Sequence, residues 1–427
     1  MFYWLKFAYL VLSALALLLY LPKLIGFRYA FKKAKHYEAS EKRRIAVVVP
    51  ARNESKIIGD LFASIQRQDY DPAFFDVNVI VKDPADPTVE IARGMGANVF
   101  VISEQSCKGD ALDGYFKSLS PEQMSSYEAF VIVDADAVLD PRYLTELNNA
   151  LETDHDIYLT RKYAKNFLGG RENRSVYSNC SALTWPIIDD LGNAFRMRHE
   201  MPLNLCGQGM MLRRRIVEEL GGWPYRTLTE DYELKLDSLL RGFTSMFYPY
   251  AILYTEEALG HGENFTRRMR WLTGYKQCDK IYRGKIRRQH RARGRFTAGE
   301  FEYFFGILPP ILFLVTTLAA MISGAVLAVA SAISGDYLLA GAALSQLVAF
   351  PFLLLYFLLF AYGVLAMFAC GDMFKTLRLG EKLRMLLYNP LYLLEYVPIY
   401  LKSWWAVLRD KTPPWKETER MTYDNLK

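Results

Sequence analysis

This sequence predicts an α/β fold, a mostly parallel sheet flanked by helices, joined to an α-helical transmembrane region. Three observations carry that expectation. Between about Arg43 and Thr273, short β-branched runs alternate with amphipathic runs of helical period. Residues 303–335 are 33 positions without a charge, and residues 337–371 are another 35. About 20 apolar residues suffice to cross a bilayer, so a wholly soluble protein is excluded. The chain of 427 residues is 52% hydrophobic and 23% charged, which also excludes disorder and complete burial in lipid.

Residues 1–22 carry only Lys6, whereas Lys23, Arg28, Lys32, Lys33 and Lys35 follow directly. A cleaved leader has its positive charge before the apolar run and small residues after it, the reverse of this pattern. The segment reads as an uncleaved anchor, with the N-terminus outside and the following chain in the cytosol.

The cytosolic block opens with residues 45–49, a β-branched run suited to a parallel strand, and residues 56–66 follow as a helix with Ile57, Ile58, Leu61, Phe62 and Ile65 on one face. Residues 77–81, 97–102 and 130–133 are further strands, and residues 87–94 a second helix. Short strands with helical crossovers place a ligand site at the carboxyl ends of the strands.

The five cysteines, at 107, 180, 206, 278 and 370, have no metal-ligand spacing and suit a reducing compartment. Residues 281–295 hold seven Lys and Arg just before the first long apolar run. Nucleic acid is one partner for such a run; beside a membrane helix, anionic lipid headgroups are the better one. The two runs 303–371 read as membrane helices, their connection without Lys or Arg lying outside and Lys375, Arg378, Lys382 and Arg384 returning to the cytosol. Pro351 does not divide the second run, because 14 residues before it are too few to cross. Residues 385–408 contain Glu395 and Lys402 and predict an interfacial or re-entrant helix, followed by a cytosolic tail over 409–427.

Three polar constellations remain. Asp134 and Asp136 leave a strand end two residues apart; either they form a turn before the helix at Pro141, or they hold a divalent cation with a diphosphate. Thr229-Glu230-Asp231 starts a helix, as a cap or as a general base at the crevice mouth. Arg267, Arg268 and Arg270 precede Trp271; they are basic surface, or a phosphate site in which guanidinium binds bidentately.

In this order, these elements resemble family 2 glycosyltransferases, a group that includes membrane-bound synthases of cellulose, chitin, hyaluronan and poly-N-acetylglucosamine. The resemblance runs from Ala46 to about Gly274 and rests on Pro50-Ala51-Arg52-Asn53-Glu54, Lys108-Gly-Asp-Ala-Leu-Asp113, Asp134-Ala-Asp136, Gly207-Gln-Gly209, Thr229-Glu230-Asp231 and Arg268-x-Arg270-Trp271. The tail Trp415–Arg420 is similar to the cytosolic ends of some membrane members. Two positions depart from the pattern. Arg267 stands where the family has glutamine, and aligning the loop on Thr88 brings Lys82 rather than Asp83 to the base-contact position.

The resemblance implies a GT-A domain over 43–274, a basic interfacial region over 275–302, and inverting transfer from a nucleotide sugar, with uridine as the expected base. It implies Asp231 as base with Glu230 beside it, and Asp136 as ligand to Mn²⁺ or Mg²⁺. Pro50, Ala51, Arg52, Glu54, Asp83, Lys108, Asp134, Arg268, Arg270 and Trp271 are then the donor-binding residues. The expected partners are a nucleotide sugar, a polysaccharide or lipid acceptor, membrane lipids and a second copy of the chain, without nucleic acid. The expected location is the plasma membrane, multi-pass. Polymer extension is favoured over glycolipid synthesis; a transporter with a nucleotide-sensing domain is the alternative of another class, against which the uncharged spans count.

Overall fold

A computed structural model describes residues 1–409. Its centre is a mixed, eight-stranded sheet in the order β3-β2-β1-β4-β7-β6-β8-β5. The strands are β1 (Ile45–Pro50), β2 (Phe75–Val81), β3 (Asn98–Val101), β4 (Ala129–Ile132), β5 (Val138–Leu139), β6 (Ile157–Ala164), β7 (Met210–Arg213) and β8 (Ser245–Thr255). The four strands expected from sequence form the parallel half, in register Val48↔Ile132, Val49↔Val79 and Val79↔Val99. Successive side chains of a strand point to opposite faces, so Val47 and Val49 enter one apolar core while Ala46 and Val48 enter the other. Burial on both faces explains the uninterrupted apolar run.

The other half differs from a simple parallel expectation. β7 is antiparallel to both β4 and β6, and β5 is antiparallel to β8, whereas β6 and β8 run parallel. Arg161 and Lys162 interrupt the apolar pattern of β6 although Lys162 is buried, paired with Asp189 at 3.4 Å. Their neighbour β8 carries Pro249 where the register jumps, Thr160 opposing Tyr248 and Arg161 opposing Ile252. Proline cannot donate to a ladder and is tolerated at such a bulge.

The helices that position the site are α1 (Phe2–Gly26), α2 (Ile58–Ile65), α3 (Thr88–Gly94), α4 (Lys108–Ser118), α5 (Tyr143–Ala150), α6 (Glu230–Arg241), α7 (His261–Arg293), α8 (Ala298–Phe305), α9 (Leu308–Ile333), α10 (Phe350–Ala369), α11 (Leu379–Leu394) and α12 (Tyr396–Leu408). Among the described residues, three helical stretches are long and apolar enough to cross a membrane: Phe2–Phe31, Ala298–Ile333 and Tyr337–Ala369. The last passes Pro351 unbroken through a π-helical turn, Leu344–Ala349. The boundary expected at 274/275 falls inside α7, one continuous helix of 33 residues. Residues 385–408 span most of α11 and all of α12, which meet at Glu395. The Trp415–Arg420 stretch lies outside the described residues.

Candidate active site

β4 delivers Asp134 to the sheet's carboxyl edge, and α4 begins opposite it with Lys108. The Lys108 ammonium donates to Asp134 Oδ1 at 2.6 Å and to Gly207 O at 2.5 Å, and lies 3.7 Å from Glu230 Oε1. One cation thus ties four chain segments together. The start of α4 is fixed by Asp110, whose carboxylate accepts from Ser106 N and Cys107 N. Arg226 grips Asp110 at 2.7 Å and Asp113 at 2.6 Å, pulling α4 onto the loop that leads to α6. Gly109 permits that approach, since a Cβ there would sit 1.9 Å from Tyr225 O.

Glu233 holds the same loop from the other side by accepting from Arg226 N and Thr227 N, both at 3.0 Å. Glu230 and Asp231 therefore sit in the first turn of α6 above the Lys108 ammonium, Glu230 buried and Asp231 half-buried. Burial pushes both carboxyls above the ordinary range, and at Glu230 the charges of Asp231 and Asp134 add to the rise. Lys108 opposes the shift at both, and Arg270 opposes it at Asp231. Such a carboxyl holds a proton more strongly than a free one, the property a general base requires.

The arginines of α7 separate. Arg270 is exposed and near enough to Asp231 to act on its charge. Arg268 is buried at 2% exposure and donates to Asn264 Oδ1, Ser181 Oγ, Thr184 Oγ1 and Tyr392 OH, at 2.8 to 3.3 Å. Its guanidinium lies over the rings of Trp271 at 4.6 Å and Tyr396 at 5.3 Å. With its donors directed to α7, α11 and the 181–184 segment, Arg268 locks Trp271 in place rather than facing the crevice. Arg267 is held by Glu256 O and Glu263. Gly274 brings α7 against the acid motif, where a Cβ would meet Thr229 Oγ1 at 2.5 Å and Thr229 N at 2.9 Å.

Beyond β1, a cavity of about 470 Å³ is lined by Arg52, Asn53, Lys82, Asp83, Pro84, Asp86 and Ser103. Pro50 ends β1, and Ala51 N continues the ladder to Ile80 O at 2.8 Å. Asn53 turns the chain with φ 58° and is fixed by buried Asp86, while Glu54 N donates to Thr88 Oγ1. Lys82 and Asp83 both line the cavity, so the one-residue ambiguity in sequence does not remove Asp83 from it. Lys82 Nζ bonds Gln105 O at 2.9 Å, and Asp83 Oδ1 accepts from Ala85 N at 2.9 Å.

Asp136 is buried two residues beyond Asp134, and its carbonyl accepts from Lys165, which also pairs with Asp60 at 2.8 Å. Among the described residues, no three His, Cys, Asp or Glu cluster in a manner that would enclose an ion. The two aspartates supply hard oxygen donors of the kind Mg²⁺ and Mn²⁺ take, but a ligand's phosphate oxygens must complete the shell. To that extent the donor set fits.

Sequence reasoning missed the scaffold of this site. Buried Glu257 accepts from Trp185 Nε1 at 2.6 Å and from Ser181, the partner of Arg268. Arg161–Asp190 and Lys162–Asp189 fasten β6 to a π-helical turn, Ile187–Asn193. The signal available was two lysine-arginine positions inside an otherwise strand-like run.

Comparison with known proteins finds both relatives in sequence and a neighbour in fold. The chain is 22% identical over 280 residues to the probable glycosyltransferase YdaM of Bacillus subtilis, covering 62% of this chain and 64% of that one. It is 22% identical over 251 residues to the poly-beta-1,6-N-acetyl-D-glucosamine synthase of Staphylococcus aureus, 58% of each chain. Against the cellulose synthase catalytic subunit (UDP-forming) of Komagataeibacter sucrofermentans it is 29% identical over 124 residues, 28% of this chain and 16% of that protein. The chain thus spans less than two thirds of these relatives' lengths. In fold it is similar to the mannosyltransferase PcManGT of Pyrobaculum calidifontis, solved with GDP-Man and Mn²⁺, with a TM-score of 0.51 at 17% identity over 90% of this chain and 97% of that one. That likeness extends to the GT-A fold. Residues 129–370, more than half of the sequence, match the family described as glycosyl transferase family group 2, and the chain belongs to that family as a family 2 glycosyltransferase.

Proposed function

We propose that the chain is a multi-pass membrane enzyme that transfers a sugar, with inversion, from a nucleotide-sugar donor to a growing extracellular polysaccharide. Uridine diphosphate is the expected leaving group, and the catalytic domain faces the cytosol with the N-terminus outside. The observation that carries the reading is the ion pair from Lys108 to Asp134, with Glu230 in reach of the same ammonium. Lys108 and Glu230, more than a hundred residues apart in sequence, meet at one crevice in a chain that also carries three long apolar helical stretches among its described residues.

Asp231 takes the proton from the acceptor hydroxyl as that oxygen attacks the anomeric carbon, and the diphosphate leaves from the opposite side. Glu230 keeps the Lys108 ammonium aimed into the crevice. Arg270 and Lys108 meet charge that grows on the departing oxygens. Arg52 and Asp83 line the cavity that would take the base, and Trp271 offers an apolar face to a sugar. Asp136, with Asp134, would hold a divalent ion, which when bound neutralises diphosphate charge without proton transfer.

A lipid acceptor is the second reading, favoured by Tyr392 of α11 and Tyr396 of α12 meeting Arg268 of α7 and by the exposure of Trp404 and Trp405 on α12. The test is a panel of nucleotide sugars with Mn²⁺ and purified full-length protein, measuring free nucleoside diphosphate and then product size. Release from one donor with a ladder of products supports the polymer; a single glycosylated lipid supports the second reading. Release by an Asp231→Asn variant at the native rate would sink both.

A further inference from the structure

The second half of α7 has an inner and an outer face. Cys278, Tyr282 and Ile286 are buried against Leu236, Leu239 and Leu240 of α6, and Gln289 Nε2 donates to Leu240 O at 2.8 Å. On the opposite side Arg287, Arg288 and Arg291 are exposed. Their neighbours Arg283 and Arg293 are neutralised by Asp279 and Glu300, each at 2.9 Å, but among the described residues no carboxylate pairs with Arg287, Arg288 or Arg291. A helix dipole favours bases in the last turn; it does not account for Arg287 and Arg288, which lie earlier.

Beside this ridge stands an aromatic collar. Phe296 stacks on His290 of α7 at 3.7 Å and 13°, and its edge meets Phe301 and Phe305 of α8. All three phenylalanines are 40% exposed or more, and α8 leads directly into the apolar helix α9. Arg287 also lies over the Phe304 ring at 5.9 Å, and guanidinium groups without a carboxylate partner next to exposed rings at the foot of such a helix match the headgroup layer of a bilayer, where phosphates meet the ridge and the rings enter the acyl boundary.

We propose that Arg287, Arg288 and Arg291 dock on the anionic phosphates of a bilayer leaflet, and that this contact steadies the helix bearing Asp231. The link is mechanical. α7 is unbroken from Arg270 to Arg291, and its inner face packs along α6. Holding the outer face limits how far α7 can shift from Thr229, against which Gly274 is already in contact. The proposal rests on the membrane and transferase reading above for its effect on turnover, but not for lipid binding itself.

The experiment compares full-length protein in nanodiscs of phosphatidylcholine with nanodiscs of equal parts phosphatidylcholine and phosphatidylglycerol. Amide exchange over Glu230–Arg241 is expected to slow several-fold with phosphatidylglycerol, and nucleoside diphosphate release to rise several-fold. An Arg287→Gln/Arg288→Gln/Arg291→Gln variant should respond to neither change while its far-ultraviolet dichroism stays native. Native mass spectrometry in detergent should find phosphatidylglycerol retained by the wild type and lost from the variant. Equal exchange in the two discs, or equal lipid retention by wild type and variant, overturns the proposal. Protection by heparin but not by phosphatidylglycerol overturns it too, in favour of a soluble polyanion. Lipid-dependent exchange without nucleotide release from any donor would leave the lipid contact standing and sink the transferase reading.

Discussion

Lys108 Nζ stands 2.6 Å from Asp134 Oδ1 and 3.7 Å from Glu230 Oε1, so a single ammonium joins the strand-end aspartate to the acid motif. Replacing it by methionine leaves two carboxylates facing each other without a cation. Lys108→Met is expected to weaken donor binding on the order of tenfold, about 1–2 kcal/mol after allowance for solvent around Asp134. Calorimetric titration with nucleoside diphosphate checks this.

The pH profile follows from burial at Glu230 and Asp231. A base works only when deprotonated, so kcat/KM falls as pH drops through the raised value. The acid limb should lie above the range of about 4 that exposed carboxyls give. Lys108→Met removes a charge that lowers both carboxyls, so the limb should move to still higher pH. A limb that stayed in the ordinary carboxylate range would contradict the assignment.

The same shift has a stability consequence of opposite sign. A carboxyl raised in the folded state is protonated more readily there than in the unfolded chain, so its ionisation costs stability as pH rises through that window. Glu230→Gln is therefore expected to raise Tm by about 2–4 °C at pH 8, with no gain near pH 4 and with transfer reduced. Differential scanning fluorimetry at the two pH values checks it.

Arg268 and Arg270 are separable. Arg268→Ala should destabilise by about 3 kcal/mol or more, because it removes a buried side chain whose four hydrogen bonds join α7 to α11 and to the 181–184 segment, and leaves a cavity there. Arg270→Ala should leave Tm unchanged and slow transfer roughly tenfold or more. Thermal unfolding beside steady-state kinetics distinguishes the two.

Gly274→Ala forces a methyl against Thr229 N, a backbone atom that cannot rotate away. The expected cost is about 1–3 kcal/mol of stability, with loss of transfer exceeding loss of donor affinity, because the displaced segment carries Asp231. Equal kinetics in wild type and variant would contradict this packing.

The parallel half of the sheet was legible because each strand is buried on both faces and reads as an apolar run. β6 was not, since buried Lys162 pairs with Asp189 and half-buried Arg161 with Asp190, and such ion pairs look in sequence like a surface. Asp134 was legible at a strand end and Glu230 at a helix start, Lys108 only through the resemblance to family 2 glycosyltransferases, and the three converge. Arg268 was expected beside phosphate with Arg270. Each residue of a helix turns by about 100°, so Arg268 and Arg270, two positions apart, point about 200° away from each other, and no linear pattern says which of them faces inward. Asp83 was ambiguous by one residue, and a cavity that takes both Lys82 and Asp83 removes the need to choose.

β7 lies between β4 and β6 although it follows both in the chain. During synthesis the first 200 residues emerge with a gap where that strand belongs, so Asp134 waits without Gly207 or Asp231 opposite. The crevice around Lys108 and Asp134 is therefore completed only by chain that follows β6 in the sequence.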